Sequence, residues 1–141
     1  MITNERQFRI SKKKLADLES ELERAPAPGD ARDDEFARMA RSALVGTVAR
    51  MRDEIGAYEA LASGTFGPIE IRSLEDLPEA LIRARIARAL SQADLASLLG
   101  LKEQQIQRYE ASRYASANLR RVLEIARVLG LSSAPIAVEG R

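Results

Sequence analysis

The sequence predicts an all-α protein in two parts, a helical hairpin followed by a compact set of short helices. Three observations carry this. Only six of 141 residues are aromatic, while 45% are hydrophobic, so the core rests on Leu, Ile, Val, Ala and Met, which suits packed helices better than a sheet. Apolar residues recur at steps of three and four through most of the chain. Small residues, two Gly and a Pro break the pattern at Ala62-Ser63-Gly64-Thr65-Phe66-Gly67-Pro68.

Composition also narrows the chemistry. With no Cys and no His, the chain lacks disulfides, a thiol nucleophile, the usual general base and the commonest transition-metal ligand. An enzyme is not expected, and no cofactor or metal is expected. No apolar run approaches the roughly 20 residues of a membrane span, and Met1 to Lys14 carries charges where a signal peptide would be apolar. A cytoplasmic location is expected, with no membrane partner.

Residues 1–65 read as the hairpin. Ser11 is the expected cap of a first helix, with Leu15, Leu18 and Leu22 on one face. Ala25-Pro26-Ala27-Pro28-Gly29 stops it. Asp30, Asp33, Asp34 and Glu35 place negative charge at the start of a second helix, where the macrodipole favours it. Along that helix Leu44, Val48, Met51, Ile55 and Tyr58 form a heptad-like seam, extended upstream by Phe36 and Ala40 and downstream by Leu61 or Ala62. Gly56 marks a bend or a close contact. The seam is longer than a short first helix covers. The hairpin therefore reads either as a module closed on itself or as a dimerisation or partner-binding arm.

Residues 66–75 read as linker, within which Ile69-Glu70-Ile71-Arg72 alternates like a short strand. Residues 76–131 read as the functional part. Asp76, with Glu79 three residues on and Pro78 in the first turn, signals a helix start. That helix runs through Leu90 with Leu81, Ile82, Ile86 and Ala89 inward. Ser91 with Asp94 caps the next. Leu95, Leu98 and Leu99 give its apolar face, Ala96 permits a close helix crossing, and Gly100 ends it in the left-handed conformation. Ile106 and Tyr109 face inward from the following helix. Ser116 caps a last helix whose inner face is Leu119, Val122, Leu123, Ala126 and Leu129, closed by Gly130. Residues 132–141 read as a flexible tail.

This spacing is that of a helix-turn-helix. It leaves Glu103, Gln104, Gln107 and Arg108 outward on the second helix. Gln pairs bidentately with adenine, Arg with guanine, and Glu accepts from the cytosine amino group. These four are the expected base-reading residues. Helix starts and the loop beside a reading helix commonly hold phosphates, so Gln92, Lys102, Arg113, Tyr114, Ser116 and Asn118 are the expected backbone contacts, with a core role for Tyr114 as the alternative. Split at the linker, the formal charge is −1 for residues 1–65 and +2 for residues 66–141. Two other classes compete with DNA binding: a helical scaffold that holds a protein, and a carboxylate site for a hard cation at Asp33, Asp34 and Glu35.

Leu81 to Leu131 resembles the Cro/cI-type (XRE) helix-turn-helix family through Leu90-Ser91-Gln92, Leu95-Ala96, Leu99-Gly100-Leu101, Ile106, Tyr109-Glu110 and Leu129-Gly130. The resemblance implies a five-helix DNA-binding domain, acting as a homodimer on a palindromic operator in double-stranded DNA. Lys102 stands where that family usually has a capping Ser or Thr, and Ser112 where Gly is common. The longer pattern is similar to XRE regulators that serve as type II antitoxins, through Thr3-Asn4-Glu5-Arg6-Gln7-Phe8, Tyr58-Glu59-Ala60-Leu61 and Leu77-Pro78-Glu79-Ala80-Leu81-Ile82-Arg83-Ala84-Arg85. That similarity implies an autoregulating repressor paired with an RNase toxin; a stand-alone phage-like repressor is the alternative.

Overall fold

The computed structural model describes residues 1–32 and 34–131; Asp33 and the tail 132–141 lie outside the described residues. The described chain is helical, with α1 Glu5–Arg24, α2 Glu35–Ser63, a 3-10 turn Leu74–Asp76, α3 Leu77–Ala87, α4 Gln92–Leu98, α5 Glu103–Ala111 and α6 Leu119–Val128. No strand occurs among the described residues, and Ile69 to Arg72 is irregular. Two compact units form, Met1–Ala60 and the chain from Leu61 onward. Among the described residues no helix is long and apolar enough to cross a membrane.

The first unit is an antiparallel hairpin. Contacts run upward along α1 as they run downward along α2. Phe8 stacks on Tyr58 at 4.9 Å, Lys12 meets Glu59 at 3.3 Å, Glu19 takes two hydrogen bonds from Arg52, and Arg41 donates to the Pro26 carbonyl at 3.4 Å. The α2 seam is the covered face: Val48 and Ile55 are buried, and Leu44, Met51 and Tyr58 half-buried.

Several expectations for the hairpin change. The first helix starts at Glu5, earlier than expected, and is capped by Asn4 rather than Ser11: the Gln7 amide donates to Asn4 Oδ1 at 2.9 Å, and Gln7 Oε1 accepts from the Thr3 amide. Ser11 is half-buried within α1. The resulting 20-residue helix is about 30 Å long, so it covers the seam from Leu44 to Tyr58. The upstream extension is not covered: Phe36 is 80% exposed and Ala40 is exposed. A Cβ on Gly56 would meet nothing within 4 Å, so no close contact requires that glycine. At the start of α2, Asp34 accepts from the Ala37 amide at 2.7 Å. Asp30 instead accepts from the Arg32 amide in its own loop.

In the second unit α3 supplies the largest share of the core, with Ala80, Leu81, Ile82, Ala84 and Ile86 buried, joined by Leu61, by Leu95 and Ala96 of α4, Ile106 of α5, Tyr114, and Ile125 and Leu129. The carboxylate of Asp76 does not cap α3. It turns back to accept from the Arg72 and Ser73 amides, both at 3.0 Å, and so closes the 3-10 turn. Helix α3 ends at Ala87, short of Leu90. Ala89 is exposed with φ 54, which lets the Leu90 amide reach the Arg85 carbonyl. Leu98 is 60% exposed rather than inward. In α6 the cap is Asn118, whose Oδ1 accepts from the Arg121 amide at 2.9 Å, and not Ser116. The inner face is shifted accordingly. Ile125 and Leu129 are buried and Val122 and Ala126 half-buried, while Leu119 and Leu123 are 71% and 46% exposed. Among the described residues this unit holds four α-helices and a 3-10 turn, against the five helices that the family resemblance implies.

Two glycines separate backbone demand from packing. Gly100 has φ +65 and Gly46 lies inside α2, and an added Cβ meets nothing within 4 Å at either. Gly100→Ala is expected to lower the unfolding free energy by about 1–2 kcal/mol, and Gly46→Ala to raise it by up to about 1 kcal/mol. Denaturant melts of the two variants check this; a stabilised Gly100→Ala or a destabilised Gly46→Ala would contradict it.

Candidate nucleic-acid interface

The turn between α4 and α5 is built from local chemistry. Ser91 Oγ accepts from the Asp94 amide at 3.0 Å, and Asp94 Oδ2 accepts from the Ser91 amide at 2.8 Å and its hydroxyl at 2.6 Å. These bonds hold the Asp94 carboxyl below its ordinary pKa, the Ser91 hydroxyl contributing most. The cap is therefore complete above the normal carboxylate range and is lost as pH falls through the lowered value. Helix α4 closes with two nested bonds, Gly100 N–H to the Ser97 carbonyl and Leu101 N–H to the Ala96 carbonyl at 2.8 Å. This closure needs Gly100 in the left-handed region. Helix α5 packs directly on α4.

At the start of α5, Lys102 occupies the cap position in an extended conformation without capping through its side chain. Gln105 does that work, its Oε1 accepting from the Lys102 amide at 3.2 Å. The Lys102 side chain stays exposed. The four residues expected to read bases, Glu103, Gln104, Gln107 and Arg108, are all exposed. Gln107 Nε2 donates to Glu103 Oε1 at 3.0 Å, and Gln104 and Arg108 share the adjacent stripe at the same four-residue spacing. Ile106 and Glu110, four residues apart, are buried.

Glu110 anchors this helix. Its carboxylate accepts two bonds from Arg85, one of them at 2.9 Å from Nη2, and a third at 2.7 Å from Gln92 Nε2. Arg85 also donates to the Leu90 carbonyl at 2.8 Å. The two charged side chains are 3% and 1% exposed. Helices α3, α4 and α5 and the α3–α4 turn thus meet at one desolvated ion pair. The pair goes unrecognised in the sequence, although a signal exists. Arg85 falls in phase with Leu81 and Glu110 with Ile106, each a charge at an apolar position.

Of the expected phosphate contacts, Lys102, Arg113, Ser116 and Asn118 are not buried, whereas Gln92 and Tyr114 are. Gln92 is 6% exposed, with its amide nitrogen turned inward to Glu110. Tyr114 is the core plug: it is 4% exposed, stacks on Tyr109 at 6.3 Å, and its hydroxyl has no hydrogen-bond partner among the described residues. Burial, and then the Glu110 charge, push its pKa up, so the phenol stays protonated. Of the two expectations for this residue, its burial favours the core role over a phosphate contact.

Ser112 keeps a negative φ of −89. The left-handed turn falls on Arg113 and Tyr114, with φ 49 and 62. Their amides close α5 onto the Glu110 and Tyr109 carbonyls. Arg113 points into solvent and meets Glu79 at 3.0 Å, both well exposed. Ser116 Oγ pairs with Ser112 Oγ at 2.8 Å. Asn118 spends its carbonyl oxygen on capping α6.

Residues 81–136 match a family model described as helix-turn-helix, over less than half of the chain. Neither a curated protein nor a solved structure matches the chain. The family match supports a DNA-binding transcription regulator.

The unpartnered hydroxyl of Tyr114 offers a test of its placement. Tyr114→Phe is expected to leave the unfolding free energy unchanged or raise it by up to about 1 kcal/mol, because a buried hydroxyl without a partner costs desolvation. DNA affinity is expected not to change. A uniform loss of affinity on all duplexes would instead put the hydroxyl on a phosphate.

Proposed function

We propose that this protein is a homodimeric, sequence-specific DNA-binding repressor that reads bases through α5. One observation carries the reading: Glu103, Gln104, Gln107 and Arg108 all stand exposed on a helix that the buried Ile106 and Glu110 fix to the rest of the unit. A face with Gln, Arg and Glu matches the donors and acceptors of major-groove base edges. Lys102, Arg113, Ser116 and Asn118 supply the phosphate contacts that set register. Gln92 acts from within, holding Glu110. Two such helices in a dimer enter successive major grooves about 34 Å apart on a palindromic operator.

The hairpin of α1 and α2 is proposed as the dimer or partner arm. Its seam is spent on α1, so the surface it offers includes Phe36 and Met39, 80% and 68% exposed. The finer reading is an antitoxin that represses its own operon and holds an RNase toxin. It rests on the similarity of residues 3–8, 58–61 and 77–85 to such regulators.

The test uses duplexes from the promoter region of the protein's own coding sequence. Arg108→Ala is expected to cost about 1–3 kcal/mol on the preferred duplex and to relax selection at one base position. A loss of equal size on every sequence would make Arg108 a phosphate contact. Absence of any sequence preference in the unaltered protein would overturn the reading.

A further inference from the structure

We propose that the first half of α1 is a second DNA-contacting surface, on which Arg6, Arg9, Lys13 and Lys14 bind the phosphate backbone; the proposal rests on the DNA-binding reading above. Charge along α1 is sharply divided. Residues 5–16 carry Arg6, Arg9, Lys12, Lys13 and Lys14 against Glu5 alone, and residues 17–24 carry Asp17, Glu19, Glu21 and Glu23 against Arg24 alone. This order is the reverse of what a helix favours, since the macrodipole attracts acids to the start and bases to the end. Helix stability therefore does not account for it.

Packing within the hairpin accounts for one of these cations. Lys12 meets Glu59 at 3.3 Å and lies over the Phe8 ring at 5.2 Å. Other acids of the hairpin are engaged elsewhere: Glu54 faces the Met1 amino group, and Glu19 holds Arg52. Arg6, Arg9, Lys13 and Lys14 are exposed, and no ion pair among the described residues involves them. They project from the part of α1 that is not turned toward α2, where Phe8, Leu15, Leu18 and Leu22 are half-buried.

The chemistry of this surface selects a polyanion. From Arg6 to Lys14 the helix rises about 12 Å, and a duplex carries one negative charge per roughly 1.7 Å of its axis, so the four cations face several phosphates at once. A protein partner fits less well. Within α1 the large apolar side chain exposed beside them is Ile10, at 58%, whereas protein interfaces centre on an apolar core with charges depleted, and exposed ion pairs contribute little by themselves. Phosphate binding draws instead on counterion release, which needs cations and no apolar core.

The experiment measures binding of the full chain to a mixed-sequence DNA duplex at salt concentrations from about 50 to about 200 mM. The Arg6→Gln/Arg9→Gln/Lys13→Gln variant is expected to reduce the slope of log K against log salt by about 2.7, or about 0.9 for each phosphate no longer neutralised. Arg6→Lys/Arg9→Lys keeps the charge and is expected to keep the slope, and so is Glu21→Gln/Glu23→Gln at the other end of the helix. The single Lys13→Gln variant, whose slope is expected to fall by about 0.9, keeps the test valid if the triple variant melts early. A triple variant that is folded and has an unchanged slope overturns this proposal while leaving base reading by α5 intact. An unaltered protein that binds neither this duplex nor the promoter duplexes at any of these salts overturns both.

Discussion

The second unit depends on one buried ion pair. Arg85 of α3 and Glu110 at the end of α5 are almost completely withdrawn from solvent. Each charge would be costly there without the other. Their bonds do more than neutralise. Gln92 at the start of α4 adds a donor to Glu110, and the Leu90 carbonyl takes one from Arg85. Three helices and the turn between two of them are therefore referred to a single carboxylate. Three bonds to the Glu110 carboxylate, together with the buried Ile106, set the rotation of α5 about its axis, and that rotation decides which side chains face outward.

Helix ends in this unit repeat one solution. After α3, α4, α5 and α6 the chain enters the left-handed region at Ala89, Gly100, Arg113 and Gly130 in turn, and the following amide reaches back to a carbonyl five residues earlier. Glycine occupies two of these four positions. At Ala89 and Arg113 a side chain sits where the backbone disfavours it. In both places the strained turn adjoins the ion pair: Ala89 precedes Leu90, whose carbonyl binds Arg85, and Arg113 follows closely on Glu110. The bonds at the pair hold the chain in conformations that local preference alone would not choose.

Local signals are readable in the sequence, and paired ones are not. The Ser91–Asp94 cap and the Gly100 closure are formed by residues within a few positions of one another, so their chemistry is written in adjacent letters. The start of α1 is ambiguous because Asn4 and Ser11 are both competent caps, and the choice is tied to Phe8 stacking on Tyr58, fifty residues away in the chain. The inner face of α6 falls out of phase because Leu119 and Leu123 fit a 3/4 pattern as well as Ile125 does; burial against the rest of the unit selects Ile125. The four outward residues of α5 are legible because a helix with Ile106 inward leaves few options for Glu103, Gln104, Gln107 and Arg108. Gln92 and Tyr114 read as outward because their partner groups, Glu110 and Tyr109, lie on a different helix or across a strained turn.

The first unit is organised differently. Its helices share a seam of moderate burial, with ion pairs spaced along the edges, and its conspicuous feature is charge order rather than a buried polar group. That contrast fits the proposed division of labour, in which one unit fixes the outward face of α5 and the other presents an extended surface. The orientation of α5 depends on the Arg85–Glu110 pair, and a double-mutant cycle tests that dependence most directly. With Arg85→Met, Glu110→Leu and the double variant in denaturant melts, each single change is predicted to cost about 3–5 kcal/mol, because it leaves a buried charge alone. The double variant is predicted to recover a large part of that loss. Single losses that simply add in the double variant would contradict the pair's place at the centre of the fold.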